Sequence, residues 1–352
     1  MIKDKIYNSF DLAYKDYNLE TKSNHWKIIN RDFLKKIKKI NLENFRKKNI
    51  LSNGFDDQGN FFHLVENLID LTDLFGKKFI NEFKENEVGN PDNFYTINGE
   101  KYNFHDLYII QFTAKIKKFL NISPKSILEI GGGYGSLANK IKKLYPNTTL
   151  YLIDLPEAAL LQSYYLSSIY KDKKFFLYED FKKLEDPLSI DYLEKFDFVI
   201  LPPWCLEKIK FKKYFDLVIN TRSFMEIKFN EIKSYFNFIH MTIKPGGIFY
   251  NVNKYEKNTS GDIIRISEYP YDNFWQVLSS NQSWKQYNLH ELITQRVENE
   301  SQDMLSTLSK IKKINIPSKP QSKFKLLIRF FLDLIFKFIP KKILEKLLKI
   351  YL

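Results

Sequence analysis

The sequence predicts an α/β fold in which a doubly wound, mainly parallel sheet follows a helical N-terminal region and precedes an amphipathic C-terminal helix. Three observations lead to this prediction. From residue 126 onwards, short β-type runs alternate with helical ones, and such alternation implies crossover connections between parallel strands. A glycine-rich loop separates the first of these strands from the helix after it. The 352 residues are 44% hydrophobic and 16% aromatic, which is enough to build a full core.

The elements of the sheet can be assigned in order along the chain. The predicted strands are short runs rich in apolar residues, and they cover 126–130, 149–153, 196–201, 215–220 and 248–253. The predicted helices have apolar residues at helical spacing, and they cover 137–144, 157–170 and 230–241. Residues 175–180 compete with 196–201 for the place of the third strand and rank below them. Together these elements predict a Rossmann-like sheet with helices on both faces.

Changes in composition divide the chain into four regions. Residues 1–120 are predicted to be mostly helical and to act as a lid, with a hairpin turn at Asn98-Gly99. Residues 121–300 contain the sheet. Residues 301–322 are predicted to form a linker, because prolines cluster near its end. Residues 323–352 form a basic, amphipathic tail.

Charge and cysteine content exclude several classes of protein. Residues 1–50 hold 13 basic and 6 acidic side chains, and residues 319–352 hold 9 and 2, so the body between them is nearly neutral although the chain carries +13. No nucleic-acid partner is expected, because such a partner calls for basic groups around the active site. The single cysteine, Cys205, excludes a disulfide framework. Without a visible signal peptide or an apolar run of spanning length, the expected location is cytoplasmic.

The tail suggests a second location. Its charged residues recur every fourth position, so a helix here would carry one polar stripe on an otherwise apolar surface; they are Lys325, Arg329, Asp333 and Lys337. A basic helix of this kind suits an anionic membrane surface. Residues 323–352 therefore predict peripheral attachment to the inner face of the plasma membrane. The alternative is a helix that packs on the body or pairs in a dimer.

The transition from the first strand to its helix contains the candidate cofactor site. Glu129 precedes a loop that contains Gly131, Gly133 and Gly135, and glycines let a backbone turn sharply and approach a ligand closely. Asp154 ends the second strand, where a carboxylate can accept hydrogen bonds from both ribose hydroxyls. The alternative role for Asp154 is to cap the next helix.

Two cofactor classes share this layout. Dinucleotide-binding loops space their glycines G-x-G-x-x-G and rest a pyrophosphate on the helix N-terminus, so a NAD-binding oxidoreductase is the rival function. Here the loop reads Glu129-Ile-Gly-Gly-Gly-Tyr-Gly135. It resembles the first motif of class I methyltransferases, in which the acidic residue holds the methionine ammonium group of S-adenosylmethionine. Because a carboxylate before the loop suits a cation better than a pyrophosphate, S-adenosylmethionine is the predicted cofactor.

Further residues are expected around this cofactor. Tyr134 belongs to the glycine loop, and Leu155 follows the ribose-binding aspartate. Trp204 comes after the third strand and is a candidate cover for the adenine, although an ordinary core tryptophan explains it equally well. Asn220 ends the fourth strand and is expected to face the methionine half of the cofactor or the acceptor. In the competing third-strand assignment, Asp180 would lie near the adenine amino group.

Three segments resemble the sugar O-methyltransferase family of bacterial polysaccharide gene clusters. They read Glu87-Val-Gly-Asn-Pro91, Asn220-Thr-Arg-Ser-Phe-Met-Glu-Ile227 and Ile248-Phe-Tyr-Asn-Val-Asn-Lys-Tyr255. With the glycine loop, the resemblance extends from about residue 60 to residue 285; Ile227 stands where the family usually has methionine. The resemblance implies O-methylation of a sugar hydroxyl in surface polysaccharide or glycan biosynthesis. A methyltransferase acting on another small molecule is the alternative with the same fold.

Transfer to a hydroxyl calls for a general base, which is worth roughly 10²–10⁴ in rate. Glu226 is the first candidate because it lies just beyond the fourth strand, although it could instead stabilise the start of a helix. Arg222 is a candidate clamp for a carboxylate or phosphate on the acceptor, with a salt bridge as the alternative. His240 and His290 are alternative bases. Because no cluster has metal-ligand spacing, the predicted reaction is metal-independent.

Other polar residues are candidates for contact with the acceptor. Asn253 and Tyr255, at the end of the last predicted strand, are placed to hydrogen-bond a sugar, although core packing also explains Tyr255. Asn90 lies in a turn-rich segment that is a candidate part of a lid over the acceptor, with a plain turn as the alternative. A lipid-linked glycan as acceptor would explain a tail that binds membranes.

Overall fold

The computed structural model describes residues 2–17, 41–47, 61–184, 189–259 and 262–314. The predicted tail over 323–352 lies outside these residues, as does the later part of the predicted linker. The helices are α1 (Ile2–Lys15), α2 (Phe61–Phe75), α3 (Lys77–Phe83), α4 (Phe104–Phe119), α5 (Ser136–Leu144), α6 (Pro156–Ile169), α7 (Tyr178–Lys182), α8 (Ile190–Leu193), α9 (Phe229–Thr242) and α10 (Asp303–Lys312). None of the described helices combines the length and the apolar content needed to span a bilayer.

Strands form one large sheet and two small hairpins. They are β1 (Tyr95–Ile97), β2 (Glu100–Tyr102), β3 (Ser126–Ile130), β4 (Thr149–Ile153), β5 (Phe175–Phe176), β6 (Phe198–Leu201), β7 (Phe215–Thr221), β8 (Ile243–Lys254), β9 (Glu256–Thr259), β10 (Asp262–Arg265), β11 (Trp275–Gln282) and β12 (Leu289–Arg296). The large sheet has the order β11-β12-β8-β7-β3-β4-β6-β5. The neighbouring strands β8, β7, β3, β4, β6 and β5 run parallel to one another. Strands β12 and β11 add an antiparallel edge beside β8. The predicted α/β fold with a mainly parallel sheet is therefore confirmed.

The two faces of the sheet bury alternate residues of the same strands, as the period of two in a strand requires. Leu128 of β3 and Val218 of β7 point into a core that α9 covers. Ile127 and Leu217, their neighbours along the chain, point into the opposite core, which α1, α4, α5 and α6 cover. Because both faces are covered, the central strands are almost continuously apolar.

The region before the sheet has a small core of its own, built by α2, α3, the β1–β2 hairpin and α4. The predicted hairpin turn is confirmed: Ile97 pairs with Glu100, and both Asn98 and Gly99 have positive φ. Such a two-residue turn requires positive φ at both positions, which asparagine and glycine tolerate best.

Helix α10 lies within the segment predicted as a linker, which the structure corrects. Met304, Leu308 and Ile311 recur at helical spacing and are buried in the core on the α9 side of the sheet. This apolar stripe gives the segment a packed position against β11.

The connection between β6 and β7 determines where the sheet is open. Parallel strands are usually joined by a crossover that contains an α-helix, but residues 202–214 form only a short 3₁₀ helix, Pro203–Lys208. On the face that α9 covers, the carboxyl ends of β3 and β4 are therefore left with an open space beside α9.

Candidate active site

The loop between β3 and α5 depends on its glycines. Gly131, Gly133 and Gly135 have φ values of +75°, +62° and +95°, in the left-handed region that favours glycine. A Cβ atom at Gly131 would overlap the side chain of Ser223, which comes from the segment after β7. Position 131 therefore requires glycine, because the segment after β7 leaves no room there for a side chain.

Glu129 lies in β3 just before the loop and is only 3% exposed. Burial raises the pKa of its carboxyl group to about 8, and the charge of Asp154 adds to this increase. Within the described residues, neither carboxylate oxygen has a hydrogen-bond partner. A Cβ at Gly132 would lie 2.7 Å from the carboxyl carbon, so the loop backbone passes directly over Glu129. A buried carboxylate without partners is costly until a cation or donor meets it, and these atoms therefore fit the ammonium group of S-adenosylmethionine.

Asp154 ties the end of β4 to the glycine loop. One carboxylate oxygen accepts hydrogen bonds from the Gly133 N–H at 3.1 Å and from the Gln162 side chain at 3.0 Å. The other accepts from the Leu155 N–H at 2.8 Å. Burial raises the pKa of Asp154 to about 7, although these hydrogen bonds oppose the increase. The side chain is thus oriented by the loop at the edge of the sheet where nucleotide ligands bind in this fold.

A cavity of about 730 Å³ opens at this edge, between the 3₁₀ helix after β6 and helix α9. That volume lies within the range of small-molecule sites. Its lining includes three of the predicted cofactor residues, Gly131, Asp154 and Leu155, and a fourth, Trp204. The structure therefore brings the glycine loop, the end of β4 and the residue after β6 together around one space.

Trp204 is held firmly in the wall of this cavity. Its indole N–H donates to the Tyr178 hydroxyl at 3.1 Å, and its ring stacks on Tyr17 with centroids 5.3 Å apart. Asp180, the alternative adenine contact, instead pairs with Lys5 at 2.6 Å and is not among the residues that line the cavity. The strand at 198–201, and not the two-residue β5, is the one that pairs with β4.

Tyr134 and the two predicted asparagines have structural partners instead of cavity positions. Tyr134 is buried against Tyr165 on the side that the N-terminal region covers. Asn220 donates to the Ile130 carbonyl at 2.8 Å, and Asn253 donates to the Asn220 side chain at 2.8 Å. Both asparagines are completely buried. They fix the end of β7 against β3 and β8, and their roles toward the methionine group and the sugar stay predictions.

Glu226 and Arg222 follow β7, as predicted, and each has a defined partner. Glu226 ends the 3₁₀ helix Phe224–Glu226 and forms an ion pair with Lys257 of β9, both side chains being partly buried. Arg222 donates to the Gln286 side chain at 2.6 Å, and its guanidinium lies 5.0 Å from the centre of the Tyr108 ring. In the sequence, Glu226 lies between Ser223 and Ile227, which both line the cavity.

The two histidines lie away from the cavity. His240 is on α9 with Nδ1 3.4 Å from Asp272, and burial lowers its pKa to about 4. His290 lies on β12 with Nε2 2.9 Å from the Ser280 hydroxyl, and burial lowers its pKa to about 4 as well. The structure therefore does not bring His240 to the cofactor loop. No group of three or more potential ligands in the described part of the chain could hold a metal ion, and metal independence stays a prediction.

The remaining acceptor candidates are also outside the cavity lining. Tyr255 is buried with its ring 5.1 Å from that of His290, so core packing accounts for it. Asn90 is exposed in a turn and donates to the Asn44 side chain at 2.9 Å. These contacts do not test a role toward an acceptor.

Several cavity residues had no signal in the sequence. Tyr17 reaches the cavity from the end of α1, and Glu231 and Tyr235 reach it from α9. Tyr17 is separated from the other lining residues by more than a hundred positions, so no local motif could have indicated it. The spacing of Glu231 and Tyr235 places both on one helical face, but only the position of α9 reveals that this face borders a cavity.

A buried charge cluster joins the glycine loop's helix to the N-terminal region. The Glu85 carboxylate accepts from the Ser136 hydroxyl at 2.6 Å and pairs with Lys140 at 3.2 Å. Lys140 also pairs with Asp106 of α4 at 2.8 Å. Burial alone would raise the pKa of Glu85, but Lys140 and Arg46 hold it well below its usual range. The first turns of α5 are therefore fixed from outside the sheet.

Comparison with known proteins adds a family-level finding. Residues 101–188, about a quarter of the chain, match the model of an O-methyltransferase domain. The matched segment contains α4, the glycine loop, Glu129 and Asp154. No curated protein matches the sequence.

Solved structures with partial similarity include methyltransferases of low sequence identity. The Burkholderia thailandensis 1,6-didemethyltoxoflavin N1-methyltransferase is 12% identical, with a TM-score of 0.36 over 54% of this chain and 79% of that chain. The mitomycin 7-O-methyltransferase is 12% identical, with a TM-score of 0.35 over 67% of each chain. Coclaurine N-methyltransferase is 10% identical, with a TM-score of 0.35 over 72% of each chain.

The domain match and the site geometry agree on the cofactor. The matched segment includes the carboxylates that the loop geometry singled out, one buried without a partner and one at the end of β4. This chain is an S-adenosylmethionine-dependent methyltransferase.

Proposed function

We propose that this methyltransferase transfers its methyl group to the oxygen of a sugar hydroxyl, in the biosynthesis of a surface polysaccharide or glycan. The observation that carries the proposal is the position of the segment 220–227. This segment resembles sugar O-methyltransferases, and its Ser223 and Ile227 border the same cavity as Gly131 and Asp154. The match to an O-methyltransferase domain supports oxygen as the acceptor atom.

The chain's own residues suggest how the cofactor is held. Asp154, already oriented by backbone N–H groups, would accept hydrogen bonds from the ribose hydroxyls. Glu129 would meet the methionine ammonium, which would also relieve the cost of its buried oxygens. Leu155 and Trp204 supply apolar surface for the adenine. When bound, S-adenosylmethionine supplies the electrophilic methyl group.

Glu226 is the proposed general base. A sugar hydroxyl is a weak acid, so a carboxylate that accepts its proton during transfer accelerates the reaction. Lys257 forms an ion pair with the Glu226 carboxylate and so fixes its orientation. Arg222 is held by Gln286 and by the Tyr108 ring and takes no part in the proposed proton transfer.

A methyl-transfer assay tests the function. Labelled S-adenosylmethionine would be offered with nucleotide sugars, with oligosaccharide and lipid-linked glycans, and with phenols and amines as competing acceptors. We expect label on a sugar acceptor, and mass spectrometry of the product should show a methyl ether. Label found only on amines or phenols would contradict the sugar assignment. Calorimetry with NAD gives a separate check, because tight NAD binding without S-adenosylmethionine binding would contradict the cofactor.

A further inference from the structure

Helix α9 presents one carboxylate to the cavity, and neither the cofactor contacts nor the proton transfer described above involves it. Glu231 lies in the first turn of α9, is half-buried and lines the cavity together with Tyr235. Within the described residues, the structure gives its carboxylate no hydrogen-bond or ion-pair partner, and burial raises its pKa although Lys228 opposes the increase. A carboxylate in this setting is an available acceptor for a donor on a ligand.

The position of Glu231 relative to the other two carboxylates indicates which part of the cofactor it meets. Glu129 belongs to the set of β3 residues that faces α5 and α6, because it alternates with Leu128 and Ile130 on the opposite face. Glu231 is on α9, which covers that opposite face. Asp154 lies at the edge between them and lines the cavity. A cofactor with its ammonium at Glu129 and its ribose at Asp154 would therefore extend its adenine toward α9.

The surfaces next to Glu231 suit a planar heteroaromatic ring. The stacked pair of Tyr17 and Trp204 forms one wall, and Tyr235 lies on the α9 side. Burial raises the pKa of the Tyr235 hydroxyl, and the nearby charges of Asp154 and Glu231 add to the increase. Both carboxylates are thus within electrostatic reach of one tyrosine in the same cavity.

The end of β6 offers no competing side-chain acceptor. The residues that follow it are Pro202, Pro203 and Trp204, and the indole N–H of Trp204 is already donated to Tyr178. Besides Asp154 and Glu231, the cavity lining contains one more carboxylate, that of Glu207, which is exposed. An exposed carboxylate remains hydrated and discriminates poorly between ligands.

We propose that Glu231 accepts a hydrogen bond from the exocyclic amino group of the cofactor's adenine and so selects adenine over purines with a carbonyl at that position. The inference rests on the proposed seating of the cofactor. It assigns recognition of the adenine ring to helix α9, in a chain whose β6 ends without an acidic residue.

Calorimetry with two product analogues tests this inference without any need for turnover. The ligands are S-adenosylhomocysteine and S-inosylhomocysteine, in which a carbonyl oxygen replaces the adenine amino group. We expect the unmodified protein to bind the adenine compound about 10- to 100-fold more tightly, the range for a hydrogen bond to a charged group. In Glu231→Gln the ratio should fall to within about threefold, because an amide can accept from the amine or donate to the carbonyl.

Glu207→Gln is the matched control, since it changes a carboxylate in the same cavity lining. It should keep the ratio of the unmodified protein. If Glu231→Gln binds both ligands with the unmodified ratio, the inference is overturned while the cofactor assignment stands. If the unmodified protein binds neither ligand, the proposed seating of the cofactor fails and the inference fails with it.

Discussion

At the scale of single residues, Glu129 links the proposed cofactor site to stability. Its pKa is about 8 in the folded protein and about 4.3 in an unfolded chain. The folded state therefore binds the proton more tightly, so the stabilisation is complete below about pH 4 and is lost as the pH rises through 8. Asp154, whose pKa burial raises to about 7, acts in the same direction.

The first prediction follows from this direction. Without cofactor, the free energy of unfolding should decrease between about pH 5 and pH 8, by up to about 1.4 kcal/mol per pH unit from Glu129. Glu129→Gln cannot ionise, so its stability should vary less over this window and should exceed that of the unmodified protein at pH 8. Urea unfolding at several pH values measures both. An unchanged pH slope in Glu129→Gln would show that this carboxyl is not the group responsible.

A second residue-scale prediction concerns the proposed base. Glu226→Gln should lower kcat by roughly 10²–10⁴, while the affinity for S-adenosylhomocysteine stays within about twofold, because the proposed base acts on the acceptor hydroxyl and not on the cofactor. Glu256→Gln is the control: it changes an exposed glutamate of the neighbouring hairpin that pairs with Arg265, and it should leave kcat near that of the unmodified enzyme. A Glu226→Gln enzyme with nearly normal kcat would exclude the base role.

At the scale of elements, the close approach of two segments should make Gly131 intolerant of any side chain. Gly131→Ala imposes a left-handed residue, which costs about 1–2 kcal/mol, and a Cβ that overlaps Ser223, for which overpacking adds about 1–3 kcal/mol. Gly246→Ala is matched in φ, at +80°, but has no atom within 4 Å of the new Cβ. It should show only the first cost.

Urea unfolding compares the two alanine variants, and calorimetry compares their cofactor affinities. Gly131→Ala should be the less stable of the two and should bind S-adenosylhomocysteine more weakly, because the loop must shift away from Ser223. Equal losses in both variants would mean that backbone conformation alone explains the glycine, and that the contact between loop and segment 220–227 is unimportant.

The elements that could be predicted from sequence are those whose burial is complete. β3, β4, β6 and β7 are covered on both faces, so each is a short apolar run bounded by polar residues. β11 could not be recognised, because its residues Trp275–Gln282 are mostly polar and lie at the sheet edge. α10 was obscured by its position between a polar segment and the prolines. Its amphipathic stripe becomes informative only once the β11 edge it packs on is known.

At the scale of the whole molecule, the site divides into a part that local sequence encodes and a part that the fold assembles. Glu129, the glycines and Asp154 lie at the ends of adjacent strands, so their proximity follows from the strand order. Asn220 also lies at a strand end, but its side-chain amide donates a hydrogen bond to the Ile130 carbonyl. Residue spacing alone does not reveal this contact. Tyr17 reaches the cavity only because α1 packs on α6 and α7, a tertiary arrangement without a local signal.

The distribution of charge leads to the last prediction. The basic ends flank a body that is close to neutral, so attraction to an anionic surface should depend on the ends and not on the catalytic domain. We expect the full chain to sediment with vesicles that contain anionic lipid, less so at high salt, and not with neutral vesicles. A chain lacking residues 320–352 should remain in the supernatant while still binding S-adenosylhomocysteine, because the described cavity residues all precede the deletion. If the shortened chain still sediments with anionic vesicles, the tail is not the membrane anchor, and a lipid-linked acceptor loses its main support.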